Sequence, residues 1–180
     1  MNEIFTRRSV RKYLSRAVER EKLDEILRAG NYAPSALNNQ DRQFTVVSRP
    51  EVLERINQAV RNLSDKATVE RVSARMNGEF AFFYKAPVLI LVSHKANARC
   101  PEADCACALE NMFLEAKALS LGSCWINQLG PLCDQAEIRE ILNEIGVPSD
   151  HRIFGCAAIG YPAEEGVLLH EKESKIVFCQ

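Results

Sequence analysis

Four cations, Arg7, Arg8, Arg11 and Lys12, surround Ser9 in the stretch RRSVRK at residues 7 to 12. A guanidinium fork matches the oxygens of a phosphate in a bidentate way, and a serine hydroxyl adds a further donor, so this cluster has the chemistry of a small-anion site. The alternative from these six residues alone is a basic segment lying in solvent. Phosphate is also commonly held by glycine-rich backbone. The eight glycines, at 30, 78, 122, 130, 146, 155, 160 and 166, form neither GxGxxG nor GxxxxGK[ST]. A bound phosphate would therefore depend on arginine.

Other reactive side chains point to no separate machinery. His94, His151 and His170 are scattered without metal or triad spacing, and read as surface or satisfied core residues. Cys124 stands beside Trp125 with no base next to it in sequence. Cys100, Cys105 and Cys107 are close in sequence, but 105 and 107 fall about 200° apart around a helix and do not readily face one ion. No metal site is expected. Seven cysteines, an odd number, also argue against a fully paired secreted framework.

The positive charge is local, because 23 Lys and Arg are offset by 24 Asp and Glu, leaving a net charge of −1. That balance disfavours a polyanionic partner such as nucleic acid. The apolar run APVLILV at 86 to 92 is far short of the roughly 20 residues a membrane helix needs. The start, MNEIFTRRS, has no apolar signal core, so the expected location is the cytoplasm. With 180 residues and 47% hydrophobic composition, residues 1 to 180 are expected to form one globular domain.

The elements that must position these residues follow from periodicity. EREKLDEILRAG, 19 to 30, has helical spacing at Leu23, Ile26 and Leu27 and ends near Gly30 or Asn31. YAPSALNNQ, 32 to 40, is a turn or loop, and QFTVVS, 43 to 48, is a strand. Pro50 opens a second helix with an inner stripe from Val52 to Leu63. Residues 64 to 78 are poorly patterned, read as partly helical or a mobile flap, and FAFFY at 80 to 84 reads as core packing or, alternatively, as the mouth of a pocket. VLILVS, 88 to 93, is a strand buried on both faces. A long helix over 104 to 120, buried on more than one side, precedes a short strand in SLGSCWIN, 120 to 127. A helix through Ile138 to Ile145, a buried strand IFGCAAIG at 153 to 160 and a C-terminal strand or arm at IVF, 176 to 178, complete the order. The expected class is α+β, a mixed β-sheet covered by helices.

Five stretches in this order resemble the nitroreductase family of flavoproteins: RRSVRKY at 7 to 13, APSALNNQ at 33 to 40, FFYKAPVLILV at 82 to 92, ALSLGSCWI at 118 to 126 and IGYPAEE at 159 to 165. The resemblance implies a nitroreductase-like fold with a C-terminal arm, and a homodimer with one FMN in each of two pockets at the subunit interface. It also implies reduction by NADH or NADPH and a small-molecule electron acceptor such as a nitroaromatic or quinone. Carried over by position, it puts Arg7 on the FMN phosphate with Ser9 close by, Arg8 in the same motif, and Arg11 near N1 and the C2 carbonyl, where charge gathers on reduction. Pro34, Ser35, Ala36, Leu37 and Asn38 would reach the flavin of the partner subunit, and Asn127 and Gln128 would meet its N5 edge through the backbone. Lys172 and Lys175 are candidate C-terminal phosphate cations. After Gln40 the family often continues with proline and an aromatic, where this chain has Asp41 and Arg42. The same resemblance leaves open a specialised member, acting in dehalogenation, flavin cleavage or azoline oxidation, or a non-catalytic flavin-binding or redox-sensing protein.

Overall fold

The computed structural model describes residues 2–164 and 174–179. In chain order its helices are α1 (Glu3–Thr6), α2 (Arg20–Asn31), α3 (Pro50–Leu63), α4 (Lys66–Ala74), α5 (Pro101–Ala118) and α6 (Ala136–Glu144). The strands are β1 (Gln43–Val47), β2 (Val88–Lys95), β3 (Gly122–Ile126) and β4 (His151–Gly160). Residues 36–38 and 130–132 form single 3-10 turns.

The strands lie in the order β1-β2-β4-β3, and every ladder between them is antiparallel. The sheet is thus less mixed than expected: its parallel component is the isolated bridge between Ser9 and Ser123. The class is the expected α+β, with helices on both faces. Alternation along β2 explains the layering, since successive strand residues face opposite sides. Val88, Ile90 and Val92 pack with Leu23, Ile26, Leu109 and Met112 of α2 and α5. Leu89 and Leu91 pack with Leu53 and Ile56 of α3 and Ile138 and Leu142 of α6. A strand between two apolar layers has no polar face, which is why VLILV reads as a continuous apolar run.

Helix α5 begins at Pro101, earlier than its apolar stripe suggests, because proline suits the first turn and leaves no N–H unsatisfied there. It buries Cys105, Ala108, Leu109, Met112, Phe113 and Ala116, while Cys107 on another face is exposed. The 64 to 78 region is more ordered than its pattern implies. Asp65 caps α4, its carboxylate accepting the Thr68 N–H at 2.7 Å, a start signal that the sequence does carry. FAFFY belongs to the core: Phe80, Phe82, Phe83 and Tyr84 are all buried, with the Phe82 and Phe83 rings edge to face at 5.3 Å. Residues Ile176, Val177 and Phe178 form no strand and are exposed. Among the described residues, no helix is long and apolar enough to cross a membrane.

Candidate functional site

The segment after α1 is laid onto the sheet edge by its own backbone. Ser9 bridges to Ser123 of β3, and the Val10 N–H donates to the Ser123 carbonyl at 2.9 Å. The Tyr13 hydroxyl donates to the carbonyls of Val10 at 2.7 Å and Ala158 at 3.2 Å. Gly122 permits this close approach, because a Cβ there would lie 2.8 Å from three carbons of Val10.

This seating spreads the cations over distinct partners. The Arg7 side chain is only 19% exposed, with Nε 3.3 Å from Glu110 Oε1 and its guanidinium 5.9 Å from the centre of the Phe113 ring. Arg8 turns back on its own chain, Nη1 donating to the carbonyls of Phe5 at 3.0 Å and Arg7 at 2.6 Å. Arg11 sits 5.7 Å from the centre of the Tyr84 ring. Burial opposes its charge, but the neighbouring Tyr84, Cys124 and Tyr13 together raise its pKa. Lys12 pairs with Glu164 at the surface.

The cations share a field. Burial pushes the Cys124 thiol up, against the opposing pull of the nearby Arg11, Ser9, Arg7 and Arg75. Arg75 also donates to the Tyr84 hydroxyl at 3.2 Å. Arg75 lies just after α4, in the stretch whose sequence showed little pattern, and nothing local marks it as a neighbour of Arg11. The thiol itself, raised by burial, is held in its protonated form, consistent with packing rather than nucleophilic chemistry.

At the far end of β3, Asn127 is exposed and Gln128 half-buried. The Gln128 Oε1 accepts the Asn127 N–H at 3.1 Å, and the Trp125 indole donates to Asn127 Oδ1 at 3.2 Å. Buried Leu129 anchors the chain just beyond.

The 33 to 40 loop is set elsewhere. Leu37, Asn38 and Gln40 all adopt φ near +55°, a left-handed backbone that costs an L-residue about 1–2 kcal/mol. Leu37 is nevertheless 75% exposed, so packing of its side chain does not repay that cost. The loop is held by polar contacts: Ala36 N–H donates to Asp104 Oδ1 at 2.9 Å, and Arg42 caps the carbonyls of Ala33, Pro34 and Asp104 at 2.8, 2.8 and 2.9 Å. Pro34 and Asn38 are exposed, Ser35 and Ala36 half-buried, and the Ser35 hydroxyl accepts the Gln40 N–H at 3.1 Å.

Arg7, Ser9 and Arg11 therefore gather beside β3, while Ser35 to Asn38 stand at the start of α5. Among the described residues, no hydrogen bond or ion pair joins the two groups within one chain. Lys175 is exposed, and Lys172 lies outside the described residues. His151 is a satisfied core residue as expected, its Nδ1 3.1 Å from the Ser93 hydroxyl, His170 lies outside the described residues, and His94 departs from expectation. His94 and His151 stack with ring centres 6.4 Å apart, and His94 is buried at 1% exposure with neither ring nitrogen hydrogen-bonded. Strand pairing of β2 with β4 brings them together, which no sequence spacing reveals.

Comparison with known proteins agrees with this architecture. The profile described as "Nitroreductase family" matches residues 4–161. The chain belongs to the nitroreductase family. A crystal structure of a nitroreductase with bound FMN from Bacteroides fragilis superposes with a TM-score of 0.88 at 39% identity, covering 99% of this chain and 97% of that one. A "Putative NADH dehydrogenase/NAD(P)H nitroreductase" from Methanothermobacter thermautotrophicus is 32% identical over 91% of this chain and 78% of its own length. An iodotyrosine deiodinase from Haliscomenobacter hydrossis is 28% identical over 94% of this chain and 81% of its own. The family is one of NAD(P)H-dependent oxidoreductases, and the fold is its fold.

Proposed function

We propose that this nitroreductase-family protein is an FMN-dependent NAD(P)H oxidoreductase that works as a homodimer, each chain a single FMN-binding domain contributing to both of two interface pockets. Bound FMN would supply the redox chemistry, taking hydride from NAD(P)H at N5 and passing reducing equivalents to a nitroaromatic, quinone or similar electron-poor acceptor in ping-pong order.

The donor set fits that cofactor. A dianionic phosphate needs fixed positive charge, and the carrying observation is the gathering of Arg7, Ser9 and Arg11 beside β3, with Glu110 the one carboxylate paired to them among the described residues. Arg7 and Ser9 would hold the phosphate end, with Arg8 steadying the segment through its bonds to backbone carbonyls. Arg11, cationic at any working pH and seated beside the Tyr84 ring, would face the pole of the ring where negative charge accumulates. Asn127 and Gln128 would offer backbone N–H groups to the opposite edge once the Gln128 side chain releases the Asn127 N–H. Lys175, and Lys172 beyond the described residues, would be auxiliary phosphate cations from the arm.

Dimerisation is supported by the lack of any hydrogen bond or ion pair, among the described residues, between the two half-sites of one chain. Pro34, Ser35, Ala36, Leu37 and Asn38 are held at the first turn of α5 and Arg7 further along it at Glu110, so a second copy would be the source of the loop that closes each pocket. Exposed Phe5, Tyr32 and Leu37 are apolar surface suited to that contact. Seven unpaired cysteines suit a reducing, cytoplasmic compartment.

The visible spectrum of the purified protein tests the reading. A flavin band bleached by NAD(P)H is expected, and colourless protein that takes up no FMN after reconstitution would overturn it. Similarity to the iodotyrosine deiodinase favours one second reading, a specialised reductive dehalogenase. Steady NAD(P)H oxidation with a nitroaromatic acceptor, and none with a halophenol, discriminates against that.

A further inference from the structure

We propose that Arg42 and Asp104 form a polar clamp that positions the 33 to 40 loop for its contact with the flavin. The proposal rests on the preceding reading of that loop as a flavin contact. The chain leaves the loop through Asp41 and Arg42, with no proline there to fix the backbone, so side-chain contacts must set the loop's exit.

The geometry assigns that task to one guanidinium. Arg42 Nη1 donates to the carbonyls of Pro34 at 2.8 Å and Asp104 at 2.9 Å, and Nη2 donates to Ala33 at 2.8 Å. Both ends of the loop are thereby tied to each other and to the first turn of α5. Asp104, itself buried, supplies the second tie through Oδ1 to the Ala36 N–H at 2.9 Å. Its Oδ2 lies 3.5 Å from Nε2 of His94, the buried imidazole with no hydrogen-bonded nitrogen, so the carboxylate is backed on the core side by a fixed polar ring.

Between these ties lie Leu37, Asn38 and Gln40, each left-handed without being glycine. Such residues revert to extended or right-handed backbone when their surroundings stop over-determining them. Within the loop the bonds that oppose that reversion are short-range: the Asn38 and Asn39 N–H groups donate to the Ser35 and Ala36 carbonyls at 2.9 and 3.2 Å, and the Ser35 hydroxyl to Gln40 N–H bond at 3.1 Å and the Gln40 to Asn38 side-chain bond at 2.9 Å are solvent-exposed. Loss of the clamp therefore frees the loop while leaving the sheet and its two apolar layers intact. Arg42 and Asp104 touch no cofactor in this scheme; they are positioning residues.

The test compares wild type, Arg42→Ala, Arg42→Lys, Asp104→Asn and Asp104→Ala in amide hydrogen exchange, FMN titration of the apoprotein and steady-state turnover. Arg42→Ala is expected to speed exchange at residues 35–40 by tenfold or more with β2 and β4 unchanged, and to weaken FMN binding at least tenfold. Arg42→Lys, a point charge without the fork, recovers part of both losses. Asp104→Asn keeps an oxygen for the Ala36 N–H and loses less than Asp104→Ala. With NAD(P)H and FMN saturating, kcat falls in step with loop exchange while KM for NAD(P)H changes less. Wild-type exchange at 35–40 in Arg42→Ala, or an equal acceleration throughout the molecule, overturns the clamp. So does loop release with unaltered FMN affinity. Should Arg42→Ala fail to fold, the Lys and Asn variants carry the same comparison. A wild type that binds no FMN would instead remove the functional reading, and the exchange data would still decide whether the clamp sets the loop.

Discussion

Replacing Gly122 by alanine tests how the cation segment is seated on the sheet. The new Cβ would lie 2.8 Å from Cβ, Cγ1 and Cγ2 of Val10. Carbon contacts are most favourable near 3.5–4.0 Å, so three overlaps of roughly 0.7 Å or more must be relieved together. Rotation of the valine does not help, because its own Cβ is one of the three atoms. Nor does the segment move freely, since the Val10 N–H is bonded to Ser123 and its carbonyl accepts from Tyr13. Overpacking of this kind costs about 1–3 kcal/mol, and lifting the segment instead forfeits a backbone hydrogen bond worth about 1 kcal/mol along with the Ser9 bridge. For a chain of this size each kcal/mol lowers Tm by about 2–4 °C, so a drop of about 2–12 °C is expected by calorimetry. Because Arg7, Ser9 and Arg11 ride on the displaced segment, FMN affinity should fall about tenfold in a fluorescence titration. Gly146→Ala is the control: φ there is +86° with open space around the Cβ, so it costs about 1–2 kcal/mol of backbone strain and leaves FMN binding alone. A Gly122→Ala protein that melts within a degree of wild type and binds FMN equally would refute the reasoning.

Arg7→Ala removes a guanidinium expected to contact the phosphate, and a charge-assisted bond of about 1.5–3 kcal/mol corresponds to a loss of roughly 10- to 150-fold in FMN affinity; riboflavin, lacking phosphate, should bind both proteins alike, and equal losses for the two ligands would count against the assignment. Glu19 is held down to about 2, from an ordinary 4.5, first by the Tyr161 hydroxyl and then by its backbone and Arg16. A depressed carboxylate stabilises the fold fully above its unfolded pKa, so the stability gap between wild type and Glu19→Gln should be constant above about pH 4.5 and close as the pH falls toward 2; urea titrations across that range check the sign. Thiol reagent should modify Cys100, Cys107 and Cys179 in the native protein, with Cys105, Cys124, Cys133 and Cys156 joining in denaturant. Burial pushes Cys105 up to about 12, so early reaction there would contradict its seat against the core.

Much of the frame was legible before any coordinates, and for a local reason. Leu23, Ile26 and Leu27 repeat at the helical period because one helix face meets the core, and VLILV is apolar throughout because its strand has a core on either side. RRSVRK announces anion chemistry because charge and hydroxyl are properties of residue types, which neighbours in sequence display directly. The α5 start at Pro101, the cap at Asp65 and the antiparallel ladders were less clear. They depend on which of several compatible starts and pairings the packing rewards, and periodicity is blind to that choice.

The site's inner wiring is a different matter. Arg75 beside Tyr84 and Arg11, His94 against Asp104, and Arg42 folded over the Ala33 and Pro34 carbonyls join residues whose sequence neighbourhoods have nothing in common. Side-chain type and order along the chain sufficed to indicate a family, a fold class and a cationic segment. Which cation meets which carboxylate or carbonyl was settled when strand pairing and helix docking brought distant backbone within a few ångströms, since a hydrogen bond is made by distance and direction in space and leaves no periodic trace in the chain.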